Sequence, residues 1–85
     1  MLESKIQSDF IKKLKKDGYL VIKQSVTNMN GVPDLIAIKD GIASFYEIKQ
    51  NNKTPEPLQI YTMKKIRCYG CKTYMWDGIK LIEYI

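Results

Sequence analysis

The 85 residues predict one α/β domain in which a mixed central sheet is flanked by helices, in the order helix, three strands, helix, two strands. Three observations carry this. Apolar residues recur at spacings of three and four over residues 2–16, β-branched and aromatic runs are punctuated by Asp-Gly pairs, and a proline-containing helix start follows the third strand. A chain of this length has room for a single core, so 1–85 is read as one domain.

In the first element Leu2, Ile6, Phe10, Ile11 and Leu14 form one helical face, and Gly18 ends the helix. Residues 19–26 (YLVIKQSV) read as a strand, followed by the turn-forming stretch Thr27-Asn28-Met29-Asn30-Gly31 before Val32 and Pro33. Residues 34–39 (DLIAIK) and 42–49 (IASFYEIK) are two further strands, joined by Asp40-Gly41, a strong hairpin signal. Thr54-Pro55-Glu56-Pro57 predicts a helix start, with Thr54 as cap and Pro55 at the first helical position. That helix runs to about Tyr69, with Lys64, Lys65 and Arg67 towards its end and Gly70 as its stop. Residues 71–76 and 79–85 make a last pair of strands around Asp77-Gly78.

Fourteen Lys and Arg against nine Asp and Glu give a net charge of +5, with no histidine. The absence of histidine removes Ser-His-Asp and Cys-His nucleophilic machinery and histidine-based zinc sites. A basic balance favours a polyanionic partner, of which nucleic acid is the commonest. Lys23, Asp34, Lys39, Asp40 and Glu47 interrupt every apolar run before it reaches the roughly 18 residues of a membrane span. The opening Met-Leu-Glu-Ser-Lys-Ile-Gln-Ser-Asp is unlike a signal peptide, which makes a cytoplasmic location the expectation. Cys68 and Cys71 form a C-x-x-C pair where the second helix ends; with no other Cys and no His they cannot complete a zinc site within one chain, and they are read as reduced thiols.

The chemistry is carried by polar residues in places suited to a core. A two-residue Asp40-Gly41 turn pairs Lys39 with Ile42 and places Asp34 opposite Glu47, on the face that also holds Ile36, Ile38, Ala43 and Phe45. Lys49 follows on the same face. Two carboxylates with Cβ atoms roughly 5 Å apart destabilise a hairpin unless a positive charge lies between them, either a divalent cation or Lys49. Glu3 falls in line with Ile6, Phe10 and Leu14 on the first helix, and Gln59 with Thr62, Met63 and Ile66 on the second. Taken singly, Asp34 reads as a turn acid, Glu47 and Lys49 as solvent-face charges, Glu3 as a first-turn acid compensating the helix dipole and Gln59 as a polar surface residue. Their convergence suits a hard cation such as Mg²⁺ or Mn²⁺ and phosphodiester hydrolysis.

Gly31-Val32-Pro33-Asp34, then twelve residues, then Glu47-Ile48-Lys49, with Gln59 on the next helix, resembles the signature of the PD-(D/E)XK nuclease superfamily, and within it the VRR-NUC domain. The likeness covers almost the whole chain and implies a restriction-endonuclease-like core. It implies that Asp34 and Glu47 ligate a metal, Mg²⁺ or Mn²⁺, with the backbone carbonyl of Ile48, and that Lys49 positions and activates the attacking water. It further implies that Glu3 completes the metal site and Gln59 braces it. Stand-alone members, of phage or bacterial type, are similar to Holliday junction resolvases and act as homodimers on branched or junction DNA, which places such a protein in the cytoplasm of a bacterial or phage-infected host cell.

For DNA contacts, Lys23, Lys53, Lys64, Lys65, Arg67 and Lys72 are expected, because their segments border the proposed site. The Lys12–Lys16 run, together with Lys5 opposite the apolar face, reads instead as a solvated surface. No base-reading motif is visible, so recognition by DNA structure is expected over recognition by sequence. The expectation is a metal-dependent endodeoxyribonuclease selective for branched DNA. The alternatives are a catalytically weak or inactive DNA-binding module of the same fold and a purely structural domain.

Overall fold

The structure, a computed structural model, describes residues 2–85. Seven elements occur in the expected order: α1 (Glu3–Lys16), β1 (Leu20–Lys23), β2 (Leu35–Lys39), β3 (Ile42–Ile48), α2 (Pro57–Cys68), β4 (Lys72–Trp76) and β5 (Leu81–Tyr84). The strands form one mixed sheet in the order β1-β2-β3-β4-β5, antiparallel throughout except for the parallel β3–β4 pair, which α2 connects. No helix among the described residues is long and apolar enough to cross a membrane.

The β2–β3 hairpin has the register that the turn dictates. Asp40 (φ 54°) and Gly41 (φ 78°) both take positive φ, as a tight turn matched to strand twist requires, and Lys39 pairs with Ile42 and Leu35 with Tyr46. Continuing that register by one residue sets Asp34 opposite Glu47.

Strand alternation then divides the side chains between two helical layers. Leu35, Ala37, Tyr46 and Ile48 pack with Ile6, Phe10 and Leu14 of α1 in the main core. Phe10 stacks on Trp76 with ring centroids 5.0 Å apart and meets Tyr46 edge-on at 5.1 Å. On the opposite face α2 lies over β4 and buries Thr62 and Met63. Ile36, Ile38, Ala43 and Phe45 are only partly buried, and Leu20 and Ile22 are exposed, because a single helix does not span that face.

Three boundaries differ from expectation, each for a local reason. The first strand stops at Lys23, since residues 24–32 leave the sheet as a loop and Val26 is exposed. The second helix begins at Pro57 with Glu56 as its cap, because the Gln59 side chain accepts the Glu56 backbone N–H at 2.7 Å, so that Thr54 lies outside the helix. The last turn holds four residues, with Trp76 paired to Leu81, since the Asp77 carboxylate accepts the backbone N–H groups of Ile79 and Lys80, both at 2.9 Å. Those two bonds hold the Asp77 carboxyl below its ordinary range.

Candidate active site

The site is built where β2 begins and β3 ends. Asp34 is held twice: its backbone carbonyl accepts Gln24 N–H at 2.8 Å, and its Oδ2 accepts Ile48 N–H at 2.8 Å. The side chain therefore continues the β2–β3 pairing past the last backbone pair, fixing the carboxylate beside the end of β3. Gly31 and Pro33 deliver the chain to this point. Gly31 has φ 77°, and a Cβ there would lie 2.8 Å from Leu58 O and 2.9 Å from Thr62 Oγ1, so only glycine lets the loop rest on α2. Thr62 Oγ1 completes the contact by donating to Asn30 O at 2.7 Å.

Glu47 is 2% exposed. Its Oε2 accepts a hydrogen bond from Gln59 Nε2 at 3.1 Å and lies 3.9 Å from Lys49 Nζ, while its Oε1 is buried with no hydrogen-bond partner among the described residues. Burial pushes the Glu47 carboxyl up to about 8; the neighbouring Asp34 charge adds to this, Lys49 opposes it, and Glu3 adds a smaller repulsion. Gln59 has no freedom to turn its amide, since its Oε1 is committed to the Glu56 N–H. The helix cap thereby aims the amide nitrogen at Glu47.

The structure thus brings together Asp34, Glu47, Lys49, Gln59 and the Ile48 backbone. It does not bring in Glu3 as a ligand. Among the described residues no three Asp, Glu, Cys or His side chains converge at metal-binding distance, and Glu3 is exposed at the first residue of α1, one turn before the buried stripe begins at Ile6. Its influence on Glu47 is electrostatic only. The donor set nonetheless fits a hard divalent cation, because two facing carboxylates and a buried, unpartnered oxygen need either a proton or a cation between them. Asp34 and Glu47 would hold it.

The expected DNA contacts separate into two groups. Exposed Lys23 ends β1 beside Leu35, and exposed Lys53 lies in the loop leading from β3 to α2, both at the site's end of the sheet. Lys64, Lys65 and Arg67 lie towards the other end of α2, with Arg67 about 12 Å along the helix from Gln59. Lys72 pairs with Ser44, about 10 Å along β3 from Glu47. These four do not border the site, because α2 runs away from it. Arg67 is also committed elsewhere: its Nη1 donates to Thr73 Oγ1 at 2.9 Å, and Thr73 in turn donates to Tyr84 O at 3.3 Å. Lys65 sits over the Tyr61 ring at 5.4 Å. Free Cys68 ends α2, exposed, and free Cys71 precedes β4, half-buried.

The sequence reading missed a cleft of about 400 Å³ beside Asp34, walled by the 24–32 loop, including Gln24, Thr27 and Asn30. The run of turn formers after the first strand is the signal that marks it.

No family model matches the chain. The chain is 39% identical over 74 residues to a UPF0102 protein of Clostridium perfringens, a match covering 84% of this chain and 61% of that protein. A UPF0102 protein from a second Clostridium perfringens strain is 38% identical over 56 residues, covering 64% of this chain and 46% of its own length. The chain thus spans about half to three-fifths of these curated relatives. Among solved structures, a VRR_NUC domain superposes with a TM-score of 0.80 at 27% identity, covering 89% of this chain and 84% of its own. With its sheet order, its crossover helix and these likenesses, the chain has the fold of a VRR_NUC domain and is similar in sequence to UPF0102 proteins.

Proposed function

We propose that the domain is a Mg²⁺- or Mn²⁺-dependent endodeoxyribonuclease that hydrolyses phosphodiester bonds in branched DNA, in the manner of a Holliday junction resolvase. One observation carries the reading: the Asp34–Glu47 pair has a buried oxygen, Glu47 Oε1, with no hydrogen-bond partner among the described residues. Asp34, Glu47 and the Ile48 carbonyl would hold the cation, which supplies polarisation of a phosphoryl oxygen and a more acidic water. Glu3, whose charge reaches Glu47, would act on the site through water rather than as a direct ligand. Lys49 Nζ, 3.9 Å from Glu47 Oε2, orients the attacking water and offsets charge on the phosphoryl oxygens as it develops. The water oxygen bonds to phosphorus, one P–O ester bond breaks, and the products are a phosphate monoester and a hydroxyl, with one of the water's protons ending on the leaving oxygen and the other passing to solvent. Gln59 acts through Glu47 by holding its carboxylate in place.

A homodimer is the partner arrangement we infer. It is supported by the uncovered sheet face, where Leu20, Ile22, Ile36, Ile38 and Phe45 form an apolar surface beside exposed Leu58 and Tyr61. The unbonded thiols of Cys68 and Cys71 suit the reducing cytoplasm of a bacterial or phage-infected cell. Because the site offers only two carboxylates among the described residues, the second reading is a DNA-binding module with a weak metal centre.

The test is cleavage of labelled single strand, duplex, flap, splayed-arm and four-way-junction DNA with Mg²⁺ or Mn²⁺, against EDTA and Asp34→Ala. Metal-dependent nicking that the substitution abolishes supports the nuclease, and symmetric nicks at the junction support the resolvase. DNA binding without cleavage by the folded, metal-supplied protein establishes the module instead.

A further inference from the structure

The structure assigns the strand that leaves the active site to a basic groove along α1: we propose that Ser4, Gln7, Ser8, Lys12, Lys15 and Lys23 bind the DNA backbone phosphates flanking the cut. The groove has a volume of about 320 Å³, and no acidic residue lines it. Ser4, Ser8, Lys12 and Lys15 recur at spacings of four, four and three, so a single helical face supplies them, while Lys23 comes from the edge strand β1.

The lysines of α1 divide by partner. Lys5 is bonded to Asp9 at 3.0 Å and Lys13 to Asp17 at 3.4 Å, each one helical turn away. Lys12, Lys15 and Lys23 are exposed and make no ion pair among the described residues. Hydroxyl and amide donors interleaved with unpaired ammonium groups are the donor set that backbone phosphates take. The position of the groove gives it direction. Ser4 follows Glu3, whose charge reaches Glu47, and Lys23 precedes Gln24, which walls the Asp34 cleft. A strand in the cleft therefore meets Lys23 and then α1. From Ser4 to Lys15 the helix rises about 16 Å, room for four or five nucleotides at about 3.4 Å each. The α2 lysines lie across the sheet from this groove, towards the end of α2 that runs away from Gln59.

The groove rests on the nucleic-acid reading of the site, yet its test is independent of cleavage. Fluorescence anisotropy with labelled DNA is measured in EDTA, across salt concentrations, for the unaltered protein, a Lys12→Ala/Lys15→Ala variant and a Lys64→Ala/Lys65→Ala variant of equal net charge. All four lysines are exposed, and melting curves check that each variant folds. The α1 pair should weaken binding about tenfold at low salt and lower the salt slope by about 1.5 to 2, the share of two lost phosphate contacts, whereas the α2 pair should change the slope little. Equal losses from both variants, or none from the α1 pair, would overturn the groove. A protein that cuts DNA while the α1 pair binds normally loses the groove and keeps the nuclease; one that never cuts while the α1 pair binds poorly keeps the groove and loses the nuclease.

Discussion

Gln59 donates its amide N–H to Glu47 Oε2 at 3.1 Å while its own oxygen accepts the Glu56 N–H at 2.7 Å. One side chain therefore serves as helix-cap partner and as clamp on a buried acid. Gln59→Ala removes both bonds. The expected loss of stability is about 1–3 kcal/mol, read by urea unfolding. The expected loss of cleavage exceeds what that instability explains at temperatures where the variant is folded. Gln59→Glu should do worse at neutral pH, where it sets another carboxylate beside Glu47, and should recover on acidification.

Glu47 predicts the pH dependence of stability. Its carboxyl titrates near 8 in the folded chain and at an ordinary value near 4.5 once unfolded. Between these values the folded state holds the proton and the unfolded state does not, so the stability this group contributes is fully present below about 4.5 and is lost as pH rises to about 8. Unfolding curves from pH 5 to 9, without metal, should show this fall, and Glu47→Gln should flatten it. A fall of unchanged size in the variant would assign the dependence to other groups.

The same proton competes with a cation. Binding of Mg²⁺ or Mn²⁺ requires the ionised carboxylate, so metal affinity should rise with pH up to about 8 and then level. Calorimetric titration at pH 6, 7 and 8 reads it directly, and metal should raise the melting temperature more at pH 8 than at pH 6.

Asp34 separates structure from chemistry. Asp34→Asn keeps an oxygen that can accept the Ile48 N–H, whereas Asp34→Ala leaves that donor unpaired. Both should abolish cleavage, but Asp34→Asn should melt above Asp34→Ala. In both variants the Glu47 carboxyl should titrate lower, because the Asp34 charge that helps to raise it is gone.

Gly31→Ala tests why a glycine begins the Gly-Val-Pro-Asp run. Positive φ and a Cβ at 2.8 Å from Leu58 O combine to destabilise by about 2–4 kcal/mol. Residual folded protein should cut poorly, since the loop that delivers Asp34 no longer rests on α2. Arg67→Ala offers the contrast: with its guanidinium bonded to Thr73 Oγ1, its loss should lower stability and leave DNA affinity nearly unchanged.

Much of this was legible in the sequence because hairpin arithmetic is strict. One Asp40-Gly41 turn sets the register of β2 on β3, and with it the meeting of Asp34 and Glu47. Helical spacing likewise placed Gln59 towards the sheet. The same spacing places Glu3 on the apolar stripe, but it is exposed, because the opening turn of α1 projects beyond the core that begins at Ile6. Lys64, Lys65 and Arg67 lie farther from the carboxylates than their place in the sequence suggests, because the direction in which α2 runs from the site is set by its packing on β4, and Lys72 lies at the far end of β4 from Glu47. The partner of β4 within the mixed sheet arises from a contact between distant segments, which local patterns do not encode.

The parallel pairing has a consequence for how the domain folds. β1, β2 and β3 form a meander of neighbouring segments, whereas β4 can join only after the chain has crossed the sheet through α2. Asp34 and Glu47 should thus meet in an early hairpin, still wet, with Gln59 arriving later with the crossover. Refolding should be biphasic in site chemistry if not in secondary structure: Glu47 loses its water, and takes up its proton at neutral pH, as α2 docks. A pH indicator in weakly buffered stopped-flow refolding would time that uptake, and α2 substitutions should delay it without slowing the hairpin.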